Sequence, residues 1–147
     1  MRRIGVVGAG TMGVGIAQVA AQSNFEVLLY DIDPNALTKA LARVQADLER
    51  QVARGRIAGP QVPEILGRIT PTTTLGDFAG ADFVIEAAPE DLELKRRLFE
   101  RLDRLCRPDV VLATNTSALS VTQIGALAGR ADRVVGMHFF NPVPAMK

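Results

Sequence analysis

The 147-residue chain holds one cysteine, one histidine, one tyrosine and no tryptophan. The lone cysteine, Cys106, rules out an intramolecular disulfide and leaves no cysteine-rich metal site. It lies in a helix-like run and reads as a partly buried, small apolar residue. An excess of one charge is also missing: 17 lysines and arginines stand against 16 aspartates and glutamates, a net charge of +1. Bulk electrostatics therefore give no argument for nucleic acid or a membrane surface, although a few local donors still suffice for a phosphate-bearing small molecule. No apolar run approaches the length of a membrane span. Arg2 and Arg3 precede an apolar run, but it is short and breaks at Gly8, so it reads as a strand and not as a signal peptide. The expected location is the cytoplasm. There is no internal repeat and no low-complexity segment, and only Gly55 to Pro63 suits a flexible insert. At 48% hydrophobic and 22% charged, the chain has the make-up of one soluble globular domain with a sizeable core.

What is present is alternation. Strand-like runs occur at Arg3 to Val7, Glu26 to Tyr30, Arg68 to Thr72, Asp82 to Ala87, Val110 to Thr114 and Arg133 to Met137. Helical patterns lie between them. Val14 to Gln22 is helix-like. Asn35 to about Arg54 carries Leu37, Leu41, Val44, Leu48 and Val52 at spacings of three and four, with Asp33 suited to the N-cap and Pro34 to the first turn. A short helix is expected around Glu64 to Leu66, a longer one from Asp91 to Leu105 and a last one from Val121 to Ala128. Strands alternating with helices predict an α/β fold of the doubly wound kind, a mostly parallel sheet with helices on both faces.

Gly8, Gly10 and Gly13 form a G-x-G-x-x-G that follows a strand and opens a helix, with Thr11 and Met12 inside it. An acid, Asp31, closes the next strand. This is the fingerprint of a Rossmann-type dinucleotide site. Gly8 allows the tight turn, Gly10 admits a pyrophosphate against the backbone, and Gly13 permits close helix packing. The helix N-terminus offers free N–H groups to phosphate. Asp31 favours NAD over NADP, because a carboxylate accepts hydrogen bonds from a ribose 2′-hydroxyl and repels a 2′-phosphate. Asp33 is the rival acid, but it suits a helix cap.

Three further groups fall at the C-terminal ends of strands, the edge where such sheets bind ligands. Glu90 and Lys95 suit the nicotinamide side of a pocket, although Glu90 and Asp91 equally suit a helix N-terminus through its dipole. Thr114, Asn115, Thr116 and Ser117 are turn formers and also suit hydrogen bonds to a carboxamide or a substrate oxygen. His138 is the only imidazole; it reads as a core residue or as a general base working near neutral pH.

Together the strings GAGTMGVGIA, the acid after LLY, EAAPEDLELKRRLF, TNTSALSVT and GMHFFNPVPAMK resemble the L-3-hydroxyacyl-CoA dehydrogenase family, which includes 3-hydroxybutyryl-CoA dehydrogenases. They occur in the family's order over essentially the whole chain, and the His-Phe-Phe-Asn-Pro core is the most specific. The resemblance implies that residues 1–147 are the NAD-binding domain of a two-domain enzyme of fatty acid metabolism such as β-oxidation. The implied reaction is reversible oxidation of L-3-hydroxyacyl-CoA to 3-oxoacyl-CoA. His138 resembles the catalytic base and Ser117 the serine that holds the substrate oxygen. Asn115, Glu90 and Lys95 resemble nicotinamide-side contacts, Asp31 the adenosine-ribose acid, and Asn141 a residue near the substrate that orders the histidine loop. Ala118 stands where the family usually has a second serine. Arg50, Arg54 and Arg56 are candidates for the coenzyme A phosphates, or form a solvated helix face. No metal, nucleic acid or membrane partner is implied. The family's glutamate partner of the histidine, and the helical C-terminal domain that makes its homodimer, fall past Lys147. The chain is therefore expected to be a fragment that binds NAD but is weakly active or inactive alone. Two alternatives stand beside this reading: a non-catalytic NAD-binding or interaction module, and a related 3-hydroxyacid dehydrogenase.

Overall fold

The computed structural model describes residues 1–146. β1 (Arg3–Val7), β2 (Glu26–Tyr30), β3 (Ile69–Thr72), β4 (Phe83–Glu86), β5 (Val111–Thr114) and β6 (Val134–Gly136) form one sheet in the order β3-β2-β1-β4-β5-β6. Every adjacent pair is parallel. The helices are α1 (Thr11–Gln22), α2 (Pro34–Ala53), α3 (Gln61–Gly67), α4 (Leu92–Leu105) and α5 (Val121–Leu127). The doubly wound, mostly parallel sheet expected from the alternation is the sheet observed. Chain order reverses between β1 and β4, where Val7 pairs with Glu86. That reversal opens a crevice at the C-terminal ends of the two strands.

Side chains on a strand point alternately to opposite faces, and a parallel sheet buries both. Accordingly Ile4 and Val6 of β1 join Val27, Leu29 and Ile85 in a core beneath α1, α2 and α3. Val7, Leu28, Tyr30, Val84 and Leu112 join a second core beneath α4 and α5. In α2 the buried residues are Leu37, Ala40, Val44 and Leu48, and Asp33 caps the helix by accepting from the Asn35 N–H at 2.9 Å. A 3-10 helix over Leu75–Gly80, without periodicity to announce it, sinks Phe78 into the second core. Its ring fits because Gly5 carries no side chain: a Cβ there would meet Phe78 Cε2 at 2.6 Å. Cys106 ends α4 and is buried, and burial pushes its thiol above the ordinary value. Arg130 closes the same corner, donating to the backbone oxygens of Asp103, Cys106, Arg107 and Val110.

At the same N-terminal edge of the sheet, away from the crevice, Asp82 joins the start of β1 to the loop before β4. Its carboxylate accepts from the N–H groups of Arg3 and Arg2, at 3.0 and 2.7 Å, and from the Arg107 guanidinium at 3.0 Å. These three donors, the two backbone groups first, hold its carboxyl well below the usual carboxylate range. A depressed folded-state pKa contributes stability above the unfolded value of about 4 and loses it as pH falls through the folded one. Asp82→Ala is therefore expected to melt several degrees below the parent at pH 7. That gap should narrow as pH is lowered from about 4 toward 2, as thermal melts by circular dichroism would record.

Candidate active site at the β1–β4 switch point

The turn after β1 is built by glycine. Gly8 has φ +103°, and a Cβ there would press on the Ala87 carbonyl at 2.7 Å. Its N–H donates to the Tyr30 carbonyl at 2.8 Å, tying the turn to the end of β2. Gly10 is the N-cap of α1 and supplies no side chain to the first-turn N–H groups. A Cβ at Gly10 would meet nothing within 4 Å, so the space in front of the helix N-terminus is open. Gly13 was expected to admit close packing of helix on sheet. The atom nearest to where a Cβ would stand is the turn's own Gly8 carbonyl oxygen, at 1.8 Å, with Val6 Cγ1 of β1 at 3.7 Å. The helix is thus pulled against the turn that precedes it, and it starts at Thr11, before the apolar pattern begins at Val14.

Asp31 follows β2 and is half-buried. Its carboxylate accepts from the Ala9 N–H at 2.9 Å and the Asp33 N–H at 3.0 Å. The acid is thereby fastened to the glycine turn, with its remaining lone pairs left for a ligand.

The other wall rests on a carboxylate that sequence reasoning did not single out. Glu86, the last residue of β4, is fully buried. One of its oxygens accepts from Lys95 Nζ and from the Ala88 N–H, both at 2.6 Å, and the other from Thr114 Oγ1 at 2.7 Å. Lys95 Nζ also donates to the Ala88 carbonyl at 3.2 Å. A second link runs from Thr116 Oγ1 to Glu90 at 2.7 Å. Together they fix the Ala87–Glu90 loop against the end of β5.

Between the two walls lies a cleft of about 630 Å³. Of the predicted site residues, Gly8, Gly10, Thr11, Met12, Asp31, Glu90, Asn115, Ser117, His138 and Asn141 all line it. Two do not. Gly13 is under the turn, as described. Lys95 was expected on the nicotinamide side, but it is 1% exposed and its ammonium is taken up by Glu86 and the Ala88 carbonyl. An unpaired ammonium cannot be buried cheaply, so the charge stays with its partner and acts on the cleft only through the loop it holds. Asn115 Oδ1 accepts from the Phe139 N–H at 2.8 Å. His138 is exposed, its ring 4.9 Å from that of Phe140. Arg50, Arg54 and Arg56 line a separate depression with Pro142 and Pro144, and Arg50 pairs with Asp47 at 3.0 Å.

A model of the family described as "3-hydroxyacyl-CoA dehydrogenase, NAD binding domain" matches residues 3–147. The chain belongs to the 3-hydroxyacyl-CoA dehydrogenase family. It is 46% identical over 147 residues to 3-hydroxyadipyl-CoA dehydrogenase of Escherichia coli, covering all of this chain and 31% of that protein. It is 43% identical to 3-hydroxybutyryl-CoA dehydrogenase of Clostridioides difficile, covering 99% of this chain and 52% of that one. The crystal structure of (S)-3-hydroxybutyryl-CoA dehydrogenase from Ralstonia eutropha superposes with a TM-score of 0.97 at 41% identity, over 99% of this chain and 52% of that one. The chain thus spans about half the length of two of these relatives, and less of the third.

The residues present fit an NAD cofactor. Open space lies before an uncapped helix N-terminus, as a pyrophosphate needs, and an anchored carboxylate lies where a ribose would be held. Among the described residues, no group of three or more His, Cys, Asp or Glu could hold a metal ion. No helix there is long and apolar enough to cross a membrane.

Glu86 was missed because an acid at the end of an apolar strand reads as the start of a loop; Thr114, read as a turn former suited to a ligand oxygen, donates to Glu86. Gly15 was also missed. A Cβ there would meet Val143 Cβ at 2.9 Å, so this glycine lets the segment beyond His138 seat on α1.

Gly10→Val should leave the far-ultraviolet spectrum intact and abolish NADH binding in a fluorescence titration, because its side chain would fill the pyrophosphate space. Lys95→Met should destabilise the fold by about 3–5 kcal/mol by stranding the Glu86 charge. The double variant Glu86→Gln with Lys95→Met should recover much of that loss in urea unfolding.

Proposed function

We propose that this cleft serves the reversible oxidation of an L-3-hydroxyacyl-CoA to the 3-oxoacyl-CoA, with NAD preferred over NADP. The observation that carries the reading is the single cleft shared by the glycine turn, Ser117 and His138. NAD supplies the hydride-accepting chemistry when bound; everything else falls to the chain's own groups. Gly10 and the first turn of α1 receive the pyrophosphate, and Asp31 receives the ribose hydroxyls. Asn115 and Glu90 border the nicotinamide end. Ser117 donates to the substrate's C3 oxygen and fixes its direction. His138 takes the hydroxyl proton in oxidation, and its imidazolium returns a proton to the developing alkoxide in reduction. Arg50, Arg54 and Arg56 border a depression on the far side of the histidine segment, which suits the phosphates of a coenzyme A lying across it. The homodimer and a place in β-oxidation belong to the same proposal and rest on the family resemblance; the cytoplasmic location belongs to it as the sequence expectation given above.

Two experiments test it. By calorimetry the 147-residue chain should bind NADH more tightly than NADPH. Asp31→Ala should weaken NADH by about 1.5–3 kcal/mol, the value of hydrogen bonds to a charged group. Equal affinities of the parent chain for the two cofactors would remove the ribose assignment. For the chemistry, the chain is joined to the remaining half of the Ralstonia eutropha enzyme and assayed for NADH oxidation with acetoacetyl-CoA. His138→Gln in that chimera should lower kcat by about 10²–10⁴. Full activity of the variant would mean that His138 is not the base, and absence of turnover in a folded, NADH-binding chimera would favour a binding module.

A further inference from the structure

We infer that Asn115 is the positioning residue for His138, acting through the Phe139 backbone, and that its amide is thereby oriented with the NH2 group free for the cofactor side of the cleft. The inference rests on the reading of His138 as the base.

His138 itself is exposed and lies just beyond the three-residue edge strand β6. Its ring rests against that of Phe140, which is itself exposed, and a general base is effective only when held at hydrogen-bond distance from its proton. The fixing is done one residue later. Phe139 is half-buried, its ring packs against the core beneath α1, and its N–H donates to Asn115 Oδ1 at 2.8 Å. Asn115 is itself held, its N–H donating to the Glu86 carbonyl at 2.8 Å. Met137 N–H donates to the Thr114 carbonyl at 2.9 Å, so the residues on both sides of His138 are tied to the end of β5. Downstream, buried Val143 seats on Gly15 of α1. The histidine segment is therefore pinned at Met137, Phe139 and Val143, and only the Phe139 tie is made by a side chain that also lines the cleft.

The same bond settles the amide's orientation. A backbone N–H can only be met by the amide oxygen, so the nitrogen must take the other position. Asn115 thus joins two tasks on one planar group: its oxygen fixes the base, and its nitrogen offers donors to an acceptor in the cleft. Asn141, expected to order the histidine segment, lines the cleft, but the side chain that holds the segment is Asn115.

The two tasks separate by substitution. Asn115→Asp keeps an oxygen for Phe139 N–H and loses the donors; Asn115→Ala loses both. In the ¹⁵N-labelled 147-residue chain, Phe139 N–H should exchange at least tenfold faster in Asn115→Ala than in the parent, and Asn115→Asp should restore the parent's protection. The dispersion of the remaining amide signals shows in the same spectra that each variant is folded. In the Ralstonia chimera both variants should raise KM for NADH, and Asn115→Ala should lower kcat at least tenfold further than Asn115→Asp does. Unchanged Phe139 exchange in Asn115→Ala would overturn the inference, as would equal kcat in the two variants. The exchange measurement needs no turnover, so a failure of the base assignment, seen as full activity in His138→Gln, is told apart from a failure of the clamp.

Discussion

A charged pair with no access to water stands behind the whole site. Glu86 and Lys95 are 0% and 1% exposed and meet at 2.6 Å. Burying either charge alone would cost several kcal/mol, and their mutual attraction offsets that because further hydrogen bonds surround both groups. Ala88 N–H, the Ala88 carbonyl and Thr114 hydroxyl complete the set. A network of this kind tolerates one arrangement, since a half-satisfied version is worse than none. The consequence is geometric: the end of β4, the loop after it, the start of α4 and the end of β5 become one rigid piece.

That piece is one jaw of the cleft; the glycine turn is the other. The two touch where Gly8, at a φ open to glycine, approaches the Ala87 carbonyl, so the jaw separation is set by contact and not by a spacer. Asp31 belongs to the glycine jaw through Ala9, and Asn115 and Glu90 to the ion-pair jaw through Glu86 and Thr116. His138 hangs between them on a segment clamped to one jaw at Phe139 and seated on the other's helix at Val143. Substrate chemistry that needs a cofactor on one side and a base on the other thus inherits its distances from backbone turns and buried pairs, and little depends on the exposed side chains themselves.

The sequence made the sheet and most of the cleft legible for one reason: their signals are local. Strand runs, the amphipathic repeat of α2 and the G-x-G-x-x-G before α1 are each read within one window of residues. The first turn of α1 was not legible, because Thr11 and Gly13 are weak helix formers and Met12 alone shows no apolar period; Gly13 lets that turn pack on the Gly8 carbonyl. The 3-10 helix over Leu75–Gly80 exists through the fit of Phe78 to Gly5, a contact between distant segments. Lys95 was placed on the cleft because its stretch opens at the C-terminal end of a strand, the ligand edge, and because of the family resemblance. Its partner, nine residues earlier on a strand, decides otherwise. Asn115 and Phe139 are 24 residues apart, so no spacing rule links them.

The central claim is that NAD occupies the cleft between these jaws, with its reactive end toward Ser117 and His138. It is tested most directly by following the backbone amides of the ¹⁵N-labelled chain as NAD is added. The account predicts the largest shifts at Gly8 to Met12, Asp31, Glu90, Asn115, Ser117 and His138, with the opposite sheet edge at Glu26 and Arg68 quiet. Saturating NAD that left Gly10 and Asn115 unmoved, or moved Glu26 and Arg68 equally, would contradict it.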